Sequence, residues 1–198
     1  MTQPLLALLI FLFPLAYSPG PGNLFFAANG ARFGFRATLP ANAGYHIATW
    51  WVTAAIGLGL VSVLDQTPAL FAALKLAGSI YVLWLAWRLC RSGPVDTEQK
   101  AQTARFRDGV ILLLLNPKAY VIIALMFSQF LPQEAPNPLT SALLITTVFT
   151  LNNLVAFSIW ALLGDRLAKS IRATGQAQKT NLFFGLMLGA VGLWMLIA

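Results

Sequence analysis

Long apolar runs, separated by short polar connections, dominate the chain. No Asp, Glu, Lys or Arg occurs before Arg32, between Arg36 and Asp65, or between Glu134 and Asp165. Each of these windows is longer than the roughly 20 apolar residues that a helix needs to cross a hydrocarbon core of about 30 Å. The pattern therefore predicts helices that span a membrane, because buried helices of a soluble domain would be interrupted by charges sooner.

Six spans can be drawn along the chain, with polar residues at their ends. They cover Pro4–Ala28, Ala37–Leu64, Thr67–Trp87, Arg107–Leu131, Leu139–Gly164 and Thr180–Ala198. The second span contains Pro40 near its start, so we expect it to tilt or kink. The predicted fold class is an all-α integral membrane protein that forms a single transmembrane domain over residues 1–198.

Composition agrees with a lipid environment and excludes several other classes. Only 10% of the residues are charged, whereas a soluble domain has about 25%. The formal charge of +7 does not indicate a nucleic-acid partner, because the basic residues lie at the ends of the apolar spans instead of along one face. Cys90 is the single cysteine, which excludes an intrachain disulfide. The start of the chain lacks the positive region of a secretory signal, so the first apolar stretch is expected to be retained. No cofactor is expected.

The basic residues are confined to alternate connections between the spans. Two lie in the first connection, five in the third and four in the fifth, which together hold eleven of the thirteen; the other two, Lys75 and Lys118, lie within spans. The opposite side, formed by the termini, the Asp65-Gln66 turn and the Glu134 loop, holds none. The positive-inside rule then predicts a multi-pass protein of a bacterial inner membrane, surrounded by the lipid bilayer, with both termini on the extracytoplasmic side.

One longer connection, residues 92–104, divides the chain into two halves. It is polar, contains Gly93-Pro94, and is predicted to be a flexible cytoplasmic linker. The halves, approximately residues 1–91 and 105–198, hold three spans each. Because three is odd, the halves must cross the membrane in opposite orientations, which is the inverted repeat common in small secondary transporters.

Two spans are interrupted at corresponding positions, one in each half. The interrupting segments are Ser18-Pro19-Gly20-Pro21-Gly22-Asn23 and Asn116-Pro117-Lys118. Proline removes a backbone donor and glycine adds backbone freedom, so neither segment can stay a regular helix. Irregular backbone at membrane depth is tolerated against protein or a wet cavity, and matched breaks point to a substrate site. The alternative is that the prolines only kink two helices for packing.

An amino acid would suit such a site, because freed amides favour a carboxylate and freed carbonyls favour an ammonium group. The predicted substrate-binding residues come from the two breaks and from the middle of the fifth span. They are Pro19, Gly20, Pro21, Gly22, Asn23, Asn116, Pro117, Lys118, Asn152 and Asn153.

Several polar residues within the spans have two interpretations each. Lys118, near mid-depth, would hold a substrate carboxylate, or it would snorkel or bind carbonyls that the prolines free. His46 would couple transport to protons, or it would be a hydrogen-bonded packing residue. Asn152 and Asn153 project about 100° apart, so one would face the cavity while the other bonds across helices. Gly185-Leu-Met-Leu-Gly189 matches a helix-dimer motif and suggests a homodimer.

The motifs, taken in order along nearly the whole chain, resemble the LysE/RhtB family of amino-acid exporters. They are Pro19-Gly20-Pro21 with Asn23-Leu24, Gly34-Phe35-Arg36, Leu74-Lys75, Gly78, Tyr81-Val-Leu-Trp-Leu, Trp87-Arg88, Phe106-Arg-Asp-Gly109, Asn116-Pro117-Lys118-Ala119 and Gln129-Phe130-Leu131. The resemblance implies a secondary exporter of small, mostly neutral amino acids or derivatives, such as threonine, homoserine, leucine, cysteine or O-acetylserine, driven by the proton motive force. Many members carry an acidic residue shortly after the glycine matched by Gly44, where this chain has Thr49.

Three other functions stay open. A metal-ion or other small-solute exporter would need, for a metal, clustered carboxylates, histidines or thiols, whereas the spans offer one histidine and the peripheral Cys90. A membrane-embedded enzyme would need a nucleophile and a base within reach of each other, and Ser18 with His46 has no evident third group. A non-transporting assembly protein is the remaining alternative. We therefore expect no catalytic residue and no metal.

Overall fold

The computed structural model describes residues 2–60, 68–91, 103–131, 137–172 and 177–197, and every regular element within them is a helix. The helices are α1 (Thr2–Tyr17), α2 (Pro21–Phe33), α3 (Phe35–Ala55), α4 (Pro68–Cys90), α5 (Phe106–Leu114), α6 (Pro117–Phe130), α7 (Pro138–Arg172) and α8 (Ala177–Ile197). A π-helical segment, Ile56–Leu60, extends α3. The all-α class is thus confirmed. The Asp65-Gln66 turn, the Glu134 loop, linker residues 92–102 and the Lys75 side chain lie outside the described residues.

Two helices are individually long and apolar enough to cross a membrane, Pro138–Lys169 and Gln178–Ile197. Two bent pairs also qualify when each pair is taken as one span: α1 with α2, bent by 60°, and α5 with α6, bent by 64°. The described residues therefore contain two to four candidate spans by length and composition. The two bends lie where the proline-containing segments interrupt the first and fourth apolar runs.

Helix α7 is longer than the span predicted for it. The predicted span ended at Gly164 because charges follow, but the helix continues to Arg172. Residues 165–172 contain neither Gly nor Pro, so nothing in the backbone ends the helix there. Lys169 also forms an ion pair with Asp165 one turn earlier, at 3.0 Å, which supports the continuation. The first charge marked the polar boundary of the span and not the end of the helix.

Glycines allow two helix pairs to touch through their backbones. Helix α2 lies along α7, where a Cβ on Gly30 would collide with the carbonyl oxygen of Ala161 and one on Gly164 with that of Ala27. Helix α3 lies along α5 in the same reciprocal way. There, Gly44 faces the carbonyl oxygen of Phe106, and Gly109 faces that of Ala41. In each pair, both helices supply one glycine and one carbonyl, so any side chain at these glycines would push the helices apart.

The glycines of the last helix pack against another helix of the same chain. Gly185 of α8 lies against the sulfur of Cys90 on α4, and Gly189 faces Ala86 of the same helix. Close packing of α4 on α8 needs these small residues. The suggestion that this motif forms a dimer face is therefore wrong.

Basic connections meet at one end of the molecule. Arg32 at the end of α2, Arg88 near the end of α4 and Arg105 before α5 line one cavity. Gly34, which follows α2, lies near the carboxylate of Asp165 on α7. The first, third and fifth connections thus come together at one end of the molecule, the basic end.

Candidate functional site

The first break lies between α1 and α2. Gly20 is extended, with φ −166° and ψ 175°, and α2 starts at Pro21, whose missing N–H is not needed in the first turn. Asn23, which is buried, turns its side chain back and donates from Nδ2 to the carbonyl oxygen of Ala16 at 2.9 Å. A carbonyl at the C-terminal end of α1 is thus satisfied by a side chain of the helix that follows.

The second break, between α5 and α6, has similar backbone geometry. Asn116 is extended, with φ −100° and ψ 94°, and α6 starts at Pro117. The side chain of Asn116 is buried and donates from Nδ2 to the hydroxyl oxygen of Tyr45 on α3 at 2.8 Å. This bond ties the second break to the middle of α3.

Lys118 joins the two breaks directly. Its Nζ donates to the carbonyl oxygen of Ser18 at 3.1 Å and to the hydroxyl oxygen of Ser18 at 3.0 Å. The side chain runs over Gly20, where a Cβ would lie 3.1 Å from Cδ and from Nζ. In this conformation the second interpretation of Lys118 holds, because its ammonium group binds a backbone carbonyl of the first break.

A small cavity of about 20 Å³ lies between the breaks. That volume holds about one water molecule and no amino acid. Six residues of the predicted site line it: Pro21, Gly22, Asn23, Asn116, Lys118 and Asn153. The fold therefore brings the polar groups of both breaks and of α7 to one place.

Four residues of the predicted site do not line this cavity. Pro19 is exposed, and Gly20 is covered by Lys118. Pro117, which follows Asn116, is half-buried. Asn152 is half-buried, and its Nδ2 makes no hydrogen bond to the described residues, so the expected cross-helix bond is not made by this group. Of the two adjacent asparagines, Asn153 is the one that faces the cavity.

His46 lies one layer away from the cavity. Its ring is buried beside Tyr45 and Phe157, at 5.2 and 5.3 Å between ring centroids, and its Nδ1 is 2.8 Å from the carbonyl oxygen of Asn42. Thr49, at the position where the family resemblance implies an acidic residue, is also buried. Its hydroxyl donates to the carbonyl oxygen of Tyr45 in the same helix at 2.8 Å.

Three aromatic residues that were not predicted also lie around the cavity. Tyr45, Phe149 and Phe157 all line it. A Cβ on Gly22 would collide with the ring of Phe157, so this glycine makes room for the aromatic side chain at the break. A tyrosine in the middle of an apolar span is a usable signal, because a buried hydroxyl needs a partner. Phe157 has no such signal among fourteen phenylalanines.

The site is a mostly apolar pocket that contains one cationic side chain and three asparagines. Helices α2 and α6 both begin at the cavity, so their first amide groups and dipoles favour negative charge there. Across the described part of the chain, no three His, Cys, Asp or Glu residues are grouped to hold a metal ion. The cavity thus brings together groups of the kinds that interact with a carboxylate and with an ammonium group.

The chain is similar to known proteins along most of its length. The family model named LysE type translocator matches residues 13–198. The chain is 28% identical over 185 residues to the homoserine/homoserine lactone efflux protein of Salmonella typhimurium, covering 90% of this chain and 88% of that protein. It is 30% identical over 199 residues to an uncharacterized membrane protein of Vibrio cholerae, covering 98% and 95%. No solved structure matches the chain at a significant level.

Proposed function

Because the chain belongs to the LysE type translocator family, we propose that it is a secondary exporter of small, mostly neutral amino acids or their derivatives. The observation that carries the proposal is the meeting of the two helix breaks around a small cavity, with Lys118 bridging them. Homoserine and its lactone are the first substrates to test, since a relative is named for their efflux.

The polar groups around the cavity suggest how such a substrate binds. Its ammonium group takes the place of Lys118 at the carbonyl oxygen of Ser18, and the displaced Lys118 pairs with the substrate carboxylate. Helix α2 begins at the cavity, so its first amide groups add to the attraction for the carboxylate. Asn23, Asn116 and Asn153 supply further hydrogen bonds, and Phe157 limits the size of the side chain that fits.

The small volume of the cavity supports alternating access. A site with room for about one water must open before an amino acid enters or leaves. We propose six spans in two inverted halves that rock around this site. Helix packing supports the inversion: in both glycine-mediated pairs, α2 with α7 and α3 with α5, a broken span of one half lies along the middle span of the other.

The basic end would face the cytoplasm of a bacterial cell, with the termini on the other side of the inner membrane. This assignment rests on the positive-inside rule and on the meeting of the basic connections at one end. A homodimer stays a prediction, and the glycines of α8 no longer supply a surface for it.

Counterflow in proteoliposomes tests the transport proposal. Vesicles loaded with unlabelled homoserine should accumulate labelled homoserine from outside, and empty vesicles should not. Threonine, leucine, cysteine, O-acetylserine and homoserine lactone serve as competitors. Folding is checked by the elution profile of the purified protein in detergent. If folded protein exchanges none of these compounds, the proposal is wrong.

Coupling to protons needs a separate measurement, because exchange does not require it. For an antiporter, an acidic vesicle interior should drive homoserine uptake against its gradient. His46→Gln should keep counterflow and lose this gradient-driven uptake if His46 carries the proton. A gradient effect that is equal in wild type and His46→Gln would exclude His46. The absence of any gradient effect beside active counterflow would exclude proton coupling.

A further inference from the structure

A second and much larger cavity opens at the basic end. Its volume is about 490 Å³, which lies in the range of ligand-binding cavities. It is formed by α2, α4 and the start of α5, with Leu188 of α8 on one side. It shares no lining residue with the cavity at the breaks. The transport proposal assigns it no role.

Guanidinium groups from three parts of the fold converge on this cavity. Arg32 comes from α2, Arg88 from α4, and Arg105 and Arg107 from the start of α5. The charges of Arg32 and Arg88 are close enough to interact unfavourably. Several guanidinium groups around one cavity create a region of positive potential, which favours the binding of an anion.

The carboxylate in the lining is already used locally. Oδ2 of Asp108 accepts a hydrogen bond from the backbone N–H of Arg105 at 2.7 Å, and Oδ1 lies 3.7 Å from Nε of Arg107. This bond holds the first turn of α5, as a helix cap does. Asp108 thus interacts within the start of α5, while Arg32 and Arg88 reach the cavity from α2 and α4.

Most of the remaining lining residues are apolar, and two of them are exposed at the outer surface. Leu85, Leu89 and Leu188 form one wall, while Trp84 and Ile111 are 44% and 39% exposed. The guanidinium of Arg88 lies 4.8 Å from the ring centroid of Trp84. Tryptophan and arginine in this arrangement are typical of the membrane interface, where a ligand has a charged head and apolar tails.

We propose that this cavity binds the phosphate headgroup of an anionic phospholipid. Arg32, Arg88 and Arg105 contact the phosphate oxygens, since guanidinium groups bind phosphate through paired hydrogen bonds. The acyl chains leave past Trp84 and Ile111 into the bilayer. Basic pockets between helices on the cytoplasmic side of membrane proteins bind such headgroups. A free anion would use the arginines equally well but would gain nothing from the apolar wall.

Lipid binding to the purified full-length protein in detergent tests the proposal without any transport measurement, so its outcome is independent of the exporter function. Phosphatidylglycerol is titrated against phosphatidylcholine with the same acyl chains, and bound lipid is read by native mass spectrometry and by the shift of the unfolding temperature. Wild type should retain phosphatidylglycerol and gain thermal stability, and phosphatidylcholine should do neither.

Matched variants localise the effect. Arg88→Gln with Arg105→Gln should bind phosphatidylglycerol at least about tenfold more weakly, because a hydrogen bond between charged groups contributes about 1.5–3 kcal/mol. Arg36→Gln with Arg166→Gln removes the same charge from exposed positions outside the cavity and should bind as wild type does. Arg105→Gln alone, at an exposed position before α5, keeps the test valid if the double variant does not fold.

Three outcomes would overturn the proposal. Equal loss of binding in the control pair would show diffuse attraction of the whole basic end. Equal stabilisation by inorganic phosphate at matched concentration would show a site for free anions. No preference for phosphatidylglycerol over phosphatidylcholine in wild type would show no anion site.

Recovery of binding by Arg88→Lys with Arg105→Lys would support the charge-based contact.

Discussion

The two helix breaks share their backbone geometry and differ in their chemistry. Both bend the chain by about the same angle, 60° and 64°, and both restart the helix at a proline. The first break is held by the ammonium group of Lys118, which reaches it from the other half of the chain. The second is held by a bond between the neutral side chains of Asn116 and Tyr45. The same kind of backbone break therefore occurs twice, but a positive charge is bound at the first break only.

The difference follows from which groups each break leaves open. At the first break, the carbonyl of Ser18 needs a donor, and Gly20 has no side chain to keep Lys118 away. At the second break, Gly78 of α4 lies so close to the carbonyl oxygen of Leu115 that the backbone has no room to move. The first break is therefore joined through a flexible side chain, and the second is packed through backbone atoms. We expect substrate to displace contacts at the first break.

The largest expected effect is from removing the charge at the first break. Lys118→Met should lower homoserine counterflow by about 100-fold, because charged hydrogen bonds contribute about 1.5–3 kcal/mol each. Homoserine lactone, which has no carboxylate, should lose much less. Initial counterflow rates of both compounds, with Lys118→Arg as the charged control, check this. Equal losses for homoserine and the lactone would show that Lys118 does not bind the carboxylate.

The packing difference between the breaks predicts unequal tolerance of a methyl group. Gly78→Ala would push against the carbonyl of Leu115 and should destabilise the protein by about 1–3 kcal/mol. Gly20→Ala would press on the flexible end of Lys118 and make an ordinary contact with Oδ1 of Asn23, so it should leave the unfolding temperature nearly unchanged. Thermal unfolding in detergent compares the two variants. A similar loss in both would contradict the distinction between backbone and side-chain contacts.

The neutral bond at the second break should contribute less. Tyr45→Phe removes the hydroxyl that accepts from Asn116, and Asn116→Ala removes the donor. Hydrogen bonds between membrane helices contribute about 0.6 kcal/mol on average, so a double-mutant cycle on stability should give a coupling of about 0.5–1.5 kcal/mol. Additive effects of the two substitutions would mean that the bond does not link the second break to α3.

The smallest effect is expected at Pro19, which lies within the first break and is exposed. Pro19→Ala should change stability by no more than about 0.5 kcal/mol, as an exposed substitution does. Counterflow should stay within about twofold of wild type, which corresponds to a similarly small free-energy change. Pro21→Ala, at the buried start of α2, is the matched comparison and should cost more. A large loss of counterflow in Pro19→Ala would place the substrate path on the outer side of the break.

Local features of the chain were enough to predict the helices, the two breaks and the clustering of basic connections. Proline and glycine limit backbone geometry wherever they occur, so Pro19, Pro21 and Pro117 mark the breaks without knowledge of their neighbours. The end of α7 was missed because the polar boundary of a span and the end of a helix have different physical causes. In Asp165–Arg172 the side chains turn polar while the backbone stays a good helix former.

The partners of the polar groups depended on the assembled fold. Lys118 and Ser18 are 100 residues apart, and Asn116 and Tyr45 are 71 apart. No local pattern fixes such pairs, because they form only when helices from different halves pack together. The same holds for Phe157 at the break and for the arginines at the basic end. Residue types and backbone limits are properties of short segments, whereas a cavity is a property of the helices that surround it.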